Sequence, residues 1–373
     1  MRSRSADEPH RASTPLELFF DLCFVVAVAQ AAVLLEHDVA EHHFGHGVVS
    51  YLMVFFAIWW AWMNLTWFAS AYDPNDDVYR LTVLVAIVGA LIIAAGVPRA
   101  FEGEDYLVIT IGYSVMRFAN VGQWIRAAVS DPSHRTAAIR YAIGVTVVQA
   151  GWWLRLLVPA GDAGYWVFAA LVVAELVVPV VAERAGMTAW HPRHIAERYG
   201  LFTLIVLGEA VLAASLAIEN GLGTGTDADL LWLAAAGIVA VFAMWWLYFD
   251  RETTPPATSW SPFVWGYGHY FIFASAAAFG AALAVNVAYH TGETHISRTA
   301  AGYALAIPVA VYTLCVWGLH FVPRERGLLL LAPPAAAVLI LLAPLAPAAP
   351  QLIALVLVAL VAATVSATRR AAA

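Results

Sequence analysis

A chain of 373 residues that is 62% hydrophobic and only 12% charged departs from a soluble domain, in which about 25% of residues are charged. A membrane-spanning helix takes about 20 mostly apolar residues, so this chain has material for about twelve; a soluble enzyme, a nucleic-acid-binding module and a disordered chain are excluded. The net charge of −7 says less than the placement of the charges along the chain.

In chain order, residues 1–15 read as a cytoplasmic tail. They lack an apolar core and a small-residue cleavage site, so the first helix is expected to stay uncleaved. Apolar runs bounded by Pro, Gly, Asp, Arg or His predict spans over 16–35, 48–68, 80–98, 106–128, 137–157 and 164–182. Six more follow over 195–218, 229–249, 263–286, 300–319, 327–345 and 350–367. Each run is continuously apolar, which predicts helices hydrophobic on every face. Only Pro344, Pro347 and Pro350 separate the last two, which fits a tight reversal. The expected fold is all-α: a polytopic integral membrane protein of about twelve helices.

All 19 basic residues are Arg, and with the N-terminus inside they distribute unevenly. Outer loops receive Arg99, Arg155 and Arg298, and Arg117 lies within a span; the other 15 face the cytoplasm. That bias predicts a plasma-membrane protein with both termini cytoplasmic, and the use of Arg without Lys, with abundant Ala, points to a GC-rich bacterial genome. Cys23 and Cys315 fall inside apolar runs and are expected as buried thiols without a disulfide.

A weak repeat runs through the chain. PLELFFDLCFVVAVAQ opens the first half and HIAERYGLFTLIVLGE the second; each precedes a Trp-rich helix ending in an aromatic-Asp pair, at Tyr72-Asp73 and Phe249-Asp250. Six spans per repeat is an even number, which predicts a parallel 6+6 arrangement about the membrane normal. The organisation then reads as a tail (1–15), two six-helix repeats (16–183 and 184–367) and a cytoplasmic tail (368–373).

The opening Glu17-Leu18-Phe19-Phe20-Asp21-Leu22, continuing through FVVAVAQ, resembles the signature of the bacterial low-temperature-requirement A family. His194, Glu197, Arg198 and Gly200, followed by Val206-Leu207-Gly208-Glu209, resemble the start of its seventh helix, and Tyr113 to Arg117 its fourth. The Cys23-Phe24 step departs from the usual aliphatic residue before Phe. The resemblance implies a multi-pass membrane protein. It brings no reaction with it, because the family is named for a cold-growth phenotype.

The charged residues inside the spans carry the chemistry. Glu17 and Asp21 share one helix face, as a cation or proton entry site, as acids favoured by a helix N-terminus, or as partners of Arg198. Glu197 and Arg198 begin the seventh helix as a charge cluster. Arg117 lies about 16 Å into its span, where an unpaired guanidinium costs at least about 2.5–3.5 kcal/mol; Glu175 and Glu209 reach similar depth as partners. Asn64, Asn120, Gln123, Gln149 and His269 suit hydrogen bonds between helices. Trp59, Trp60, Trp62 and Trp67 suit packing and interfacial anchoring. His37, His42, His43 and His46 form a weak metal candidate in the first outer loop, with imidazole ligands but no known zinc spacing. GLGTGT (221–226) follows a membrane helix instead of a strand and reads as a flexible turn.

A transporter or ion-conducting protein is the expectation. Its polar path would be lined by Glu17, Asp21, Arg117, Glu175, Glu197, Arg198 and Glu209. An intramembrane enzyme or enzyme partner acting on lipid or envelope precursors is one alternative, although no HExxH, paired metal-binding Asp motif or Ser/Lys dyad is present. A membrane accessory or stress-response protein without turnover is the other. The expected partners are the lipid bilayer and a small solute or ion, with no nucleic acid and no cofactor; an oligomer stays open.

Overall fold

The structure is a computed structural model that describes residues 12–72, 74–223, 228–250, 253–255, 261–323 and 327–372. Expectations that fall on residues 1–11, Asp73, Arg251, Arg324, Arg326 and residues 224–226 lie outside them. Among the described residues the fold is all-helical, with 86% helix and no strand.

The helices are α1 (Pro15–Cys23), α2 (Val25–Ala40), α3 (Phe44–Ala71), α4 (Asp77–Gly103), α5 (Leu107–Ser130), α6 (Arg135–Arg155) and α7 (Asp162–Glu183). Then come α8 (Pro192–Gly223), α9 (Ala228–Phe249), α10 (Ser261–Thr291), α11 (Arg298–Val316), α12 (Ala332–Leu342) and α13 (Ala349–Ala372). Nine segments among the described residues are long and apolar enough to cross a membrane, with α1 and α2 forming one of them. The polar helices α5 and α6 and the short α12 fall outside that set. Within the predicted span 327–345 the helix is interrupted, as a 3-10 turn, the 11-residue α12 and a second 3-10 turn. Prolines explain this, because Pro333 and Pro334 suit the first turn of a helix and Pro344 disrupts its continuation.

Local chemistry accounts for the first helix. Thr14 caps it with a reciprocal capping box to Glu17, and Pro15 takes the first helical position, where its missing N–H costs nothing. At Phe24 the ladder tightens, its N–H bonding Asp21 O at 3.1 Å. Further along, α4 exposes Leu81, Leu84, Val88 and Leu91 on one side while Val83, Ala90, Ile93 and Val97 are buried. Apolar residues on both faces are what a lipid-facing helix requires.

The chain divides into two compact units. The first comprises Met1–Ala31, Met53–Arg198 and Thr254–Ala257. In it α1 packs on α4, α4 on α5, α5 on α6 and α6 on α7. The α4–α5 contact is a close backbone approach through glycine: a Cβ on Gly112 would stand 2.6 Å from Gly89 O and 2.7 Å from Ile93 N. Small residues at such crossings let membrane helices gain dispersion contacts. This crossing fixes the height of α5, which carries Arg117.

The second unit comprises Ala32–Leu52, Tyr199–Thr253 and Thr258–Ala373. Here α10 packs on α11 and α9, α11 on α12, and α13 on α9 and α12. Neutral side chains tie these helices together. Tyr312 O–H donates to Met244 O at 2.9 Å and Asn286 Nδ2 to Ala301 O at 3.0 Å. A π-helical turn, Trp317–Phe321, ends α11.

Cys23 and Cys315 are free thiols, half-buried instead of fully buried. Of the GLGTGT segment, residues 221–223 close α8 as helix and so are not the expected flexible turn.

Candidate functional site

Two buried ion clusters occupy opposite faces of α3 within the first unit. Residues two apart on an α-helix point about 200° apart, and residues four apart share a face. Trp60 and Asn64 serve one cluster, Trp62 and Thr66 the other.

The first cluster surrounds Arg198, which is 1% exposed. Its Nε donates to Asp21 Oδ2 at 3.0 Å, and its Nη2 to Asp21 Oδ1. This is the bidentate fork that makes arginine a strong carboxylate partner. Nη1 lies 3.0 Å from Glu17 Oε1, and Nη2 reaches Glu17 O at 3.4 Å and Thr66 Oγ1 at 3.5 Å. Trp62 Nε1 donates to Asp21 Oδ1 at 2.7 Å. His194 Nε2 lies 3.2 Å from Glu17 Oε1. Glu17 also accepts from the Thr14 N–H at 2.8 Å through Oε2, so it caps a helix and pairs a guanidinium at once. Two carboxylates thus face one guanidinium. Glu197 stands at the edge, half-buried, accepting from Ser13 N–H at 3.0 Å.

The second cluster surrounds Glu175, which is fully buried. Its Oε2 accepts from Trp60 Nε1 at 2.9 Å and is ion-paired with Arg117 Nη2. Its Oε1 accepts from Trp152 Nε1 at 2.9 Å and from Tyr113 O–H at 3.3 Å. A carboxylate offers about four lone-pair sites, and all are taken. Arg117 also donates through Nη2 to the Tyr113 hydroxyl at 3.0 Å and through Nη1 to Asn64 Oδ1 at 3.4 Å. Its Nε has no partner among the described residues. One turn further along α5, Asn120 is 4% exposed and neither Oδ1 nor Nδ2 is hydrogen-bonded among the described residues. Gln123 then accepts from Arg126, whose Nη2 reaches Asp76 at 2.6 Å. Beyond the helix ends, the Tyr79 N–H and then Arg126 hold the Asp76 carboxyl below its ordinary value, as the Leu107 N–H and Arg99 do for Asp105. Burial, then the Asp131 carboxylate, hold the Tyr72 phenol above its own.

The structure thus joins Arg117 to Glu175, and Glu17 and Asp21 to Arg198. Glu209 lies half-buried in the second unit. Trp59, Trp60 and Trp62 are buried, as packing requires, and two of them donate to carboxylates. Of the residues suited to bonds between helices, Gln149 Nε2 donates to Ser114 Oγ at 2.7 Å and His269 Nε2 lies 3.1 Å from Tyr248 Oη; Gln123 bonds within its own helix. The metal candidate does not assemble: among the described residues no three of His, Cys, Asp or Glu converge as ligands. His46 Nδ1 pairs with Asp38 at 2.8 Å, and His37, His42 and His43 do not join it in a ligand set. Sequence reasoning missed Trp60, Trp62, Thr66, Tyr113 and Trp152 as carboxylate or guanidinium partners. The alternation of polar-capable residues at 60, 62, 64 and 66 was the available signal.

An uncharacterized protein of Rhizobium meliloti (strain 1021) is 28% identical over 291 residues, covering 72% of this chain and 68% of its own. No solved structure matches the chain. The family model described as bacterial low temperature requirement A protein matches residues 12–367, a range that contains both ion clusters and every helix that builds them. The chain belongs to the bacterial low temperature requirement A protein family.

Proposed function

We propose that this polytopic membrane protein is a transporter or ion-conducting protein of the plasma membrane and not an enzyme. In this reading it has twelve spans in a parallel 6+6 arrangement, with both termini cytoplasmic. The observation that carries the reading is a pair of polar groups on α5, Arg117 Nε and the Asn120 amide, without hydrogen-bond partners among the described residues. Buried polar atoms in native proteins nearly always find partners, and intramembrane ionisable groups mark solute or proton routes. The saturated Glu175 is the anchor of that route and not a carrier. Tyr113, Arg117, Asn120, Gln123 and Arg126 form a slowly turning polar line about 20 Å long, a large part of a hydrocarbon core about 30 Å thick. Glu17, Asp21, Glu197 and Arg198 then form the cytoplasmic end of the polar path.

Purified protein in liposomes tests this, with proton, potassium and chloride flux followed by a pH-sensitive dye and ion-selective electrodes. We expect flux of at least one ion above protein-free vesicles, reduced several-fold by Asn120→Leu in protein of unchanged melting temperature. No flux for any of the three overturns the ion-conducting reading.

A further inference from the structure

Arg155 ends α6 and is 8% exposed. The sequence places it in an outer loop, but the structure turns its guanidinium inward, 4.3 Å from the Tyr106 ring centroid and 5.4 Å from that of Phe168. Among the described residues its side chain makes no hydrogen bond or ion pair, and its Nε is buried without a partner. The acid whose charge it feels, Glu104, is engaged by the Gly161 N–H at 3.0 Å and the Tyr165 O–H at 2.9 Å. Contact with aromatic faces compensates a buried guanidinium only in part.

Arg155 lines a largely apolar cavity of about 20 Å³ with Phe56, Tyr106, Tyr113, Trp152 and Phe168. A water needs about 10–15 Å³ of such space, so the cavity takes one small ion or a water or two. Tyr113 and Trp152 spend their donors on Glu175. Among the described residues the Tyr106 hydroxyl hydrogen-bonds only the Met53 thioether, at 3.8 Å, a weak acceptor. The cavity therefore offers one unpaired cation and one under-used O–H donor inside aromatic walls, and none of its lining side chains is acidic. We propose that it is a binding site for a small monovalent anion of halide size, held by Arg155 and Tyr106. This rests on the transport reading only for its use: it names a ligand class for a route that begins at Tyr106 and passes Tyr113 to Arg117, whereas binding itself needs no flux.

The test uses full-length protein in detergent with chloride as probe. Line broadening of the ³⁵Cl resonance reports exchange onto a protein site, and melting temperature is compared in sodium chloride and sodium gluconate at equal ionic strength. We expect saturable broadening and a chloride-dependent rise in melting temperature. Arg155→Gln should abolish both, and Tyr106→Phe should weaken binding several-fold. Phe168→Trp, which keeps the charge and fills the cavity, should abolish binding in protein that still melts cooperatively. If Arg155→Gln does not fold, this variant carries the test alone. Chloride broadening unchanged in either Arg155→Gln or Phe168→Trp overturns the site, as does its absence in the unmodified protein. Binding without liposome flux leaves the site standing and counts against transport; flux without binding does the reverse.

Discussion

In the first unit the buried polar core is ionic, and in the second it is neutral. Glu17, Asp21, Arg117, Asp131, Arg155, Glu175 and Arg198, the buried Asp, Glu and Arg among the described residues, all belong to the first. The second buries His269, Ser275, Asn286, Thr313 and His320, several of which bond backbone carbonyls. A backbone carbonyl accepts one more hydrogen bond at little cost, whereas a buried charge needs an opposite charge in one geometry. Similar helix openings, Pro15 with Asp21 and Pro192 with Arg198, thus supply the two members of one ion pair. Mutational sensitivity should follow the same division.

The largest effect is expected at Arg198. Arg198→Leu strands both Asp21 and Glu17, and breaking a buried ion pair costs about 3–5 kcal/mol; little folded, monodisperse protein should survive purification. Adding Asp21→Leu and Glu17→Gln should restore much of the yield. A normal melting temperature for the single variant would show that water solvates the cluster and that the first unit is not a dry ionic core.

Arg117 follows. Arg117→Leu should destabilise by a similar amount, about 3–5 kcal/mol, and Arg117→Leu with Glu175→Leu should recover most of it. The double variant also separates two uses of the pair. If it folds and retains ion flux, the pair only joins α5 to α7; if it folds without flux, the pair belongs to the route. Less severe is Gly112→Val, which forces α5 away from α4 and should cost about 1–3 kcal/mol, as overpacking does. In the neutral unit, Asn286→Ala removes one bond to Ala301 O and should cost only about 0.6 kcal/mol, the average for such bonds in membranes. A loss at Asn286 as large as that at Arg117 would break the comparison between the units.

How much of this was legible depends on the residue. A guanidinium deep in an apolar run demands an acid at equal depth, and Glu175 supplies it. Glu17 and Asp21 point to Arg198 through the matching helix openings. The indole donors were hidden because Trp inside an apolar helix reads as packing, and only the alternation at positions 60 to 66 assigns Trp60 and Trp62 to opposite faces. Arg155 was hidden differently: counting arginines by loop places a helix-terminal residue in water, and nothing in its neighbours along the chain says that it turns toward Tyr106. The interruption of 327–345 was signalled by Pro333, Pro334 and Pro344, which hydropathy alone overlooks.

A modest effect of a different kind, dependent on salt and pH, lies outside both cores at Asp76. Its side chain caps α4, accepting from the Tyr79 N–H at 2.8 Å, and pairs with Arg126 at 2.6 Å. Both interactions favour the carboxylate, so its folded-state value lies below the unfolded one of about 3.9. A lowered acid contributes stability that is fully present above the unfolded value and is lost as pH falls through the folded one. Between pH 5 and 8 its contribution should therefore be constant. Asp76→Ala removes the cap and should cost about 1 kcal/mol. Asp76→Asn keeps a capping oxygen and loses only an exposed ion pair, worth about 0.2–1 kcal/mol before salt screening. The difference in melting temperature between the natural protein and Asp76→Asn should shrink with added salt and, as pH falls, vanish only below the ordinary carboxylate range. A difference that changes between pH 6 and 8 would mean that another group titrates against Arg126.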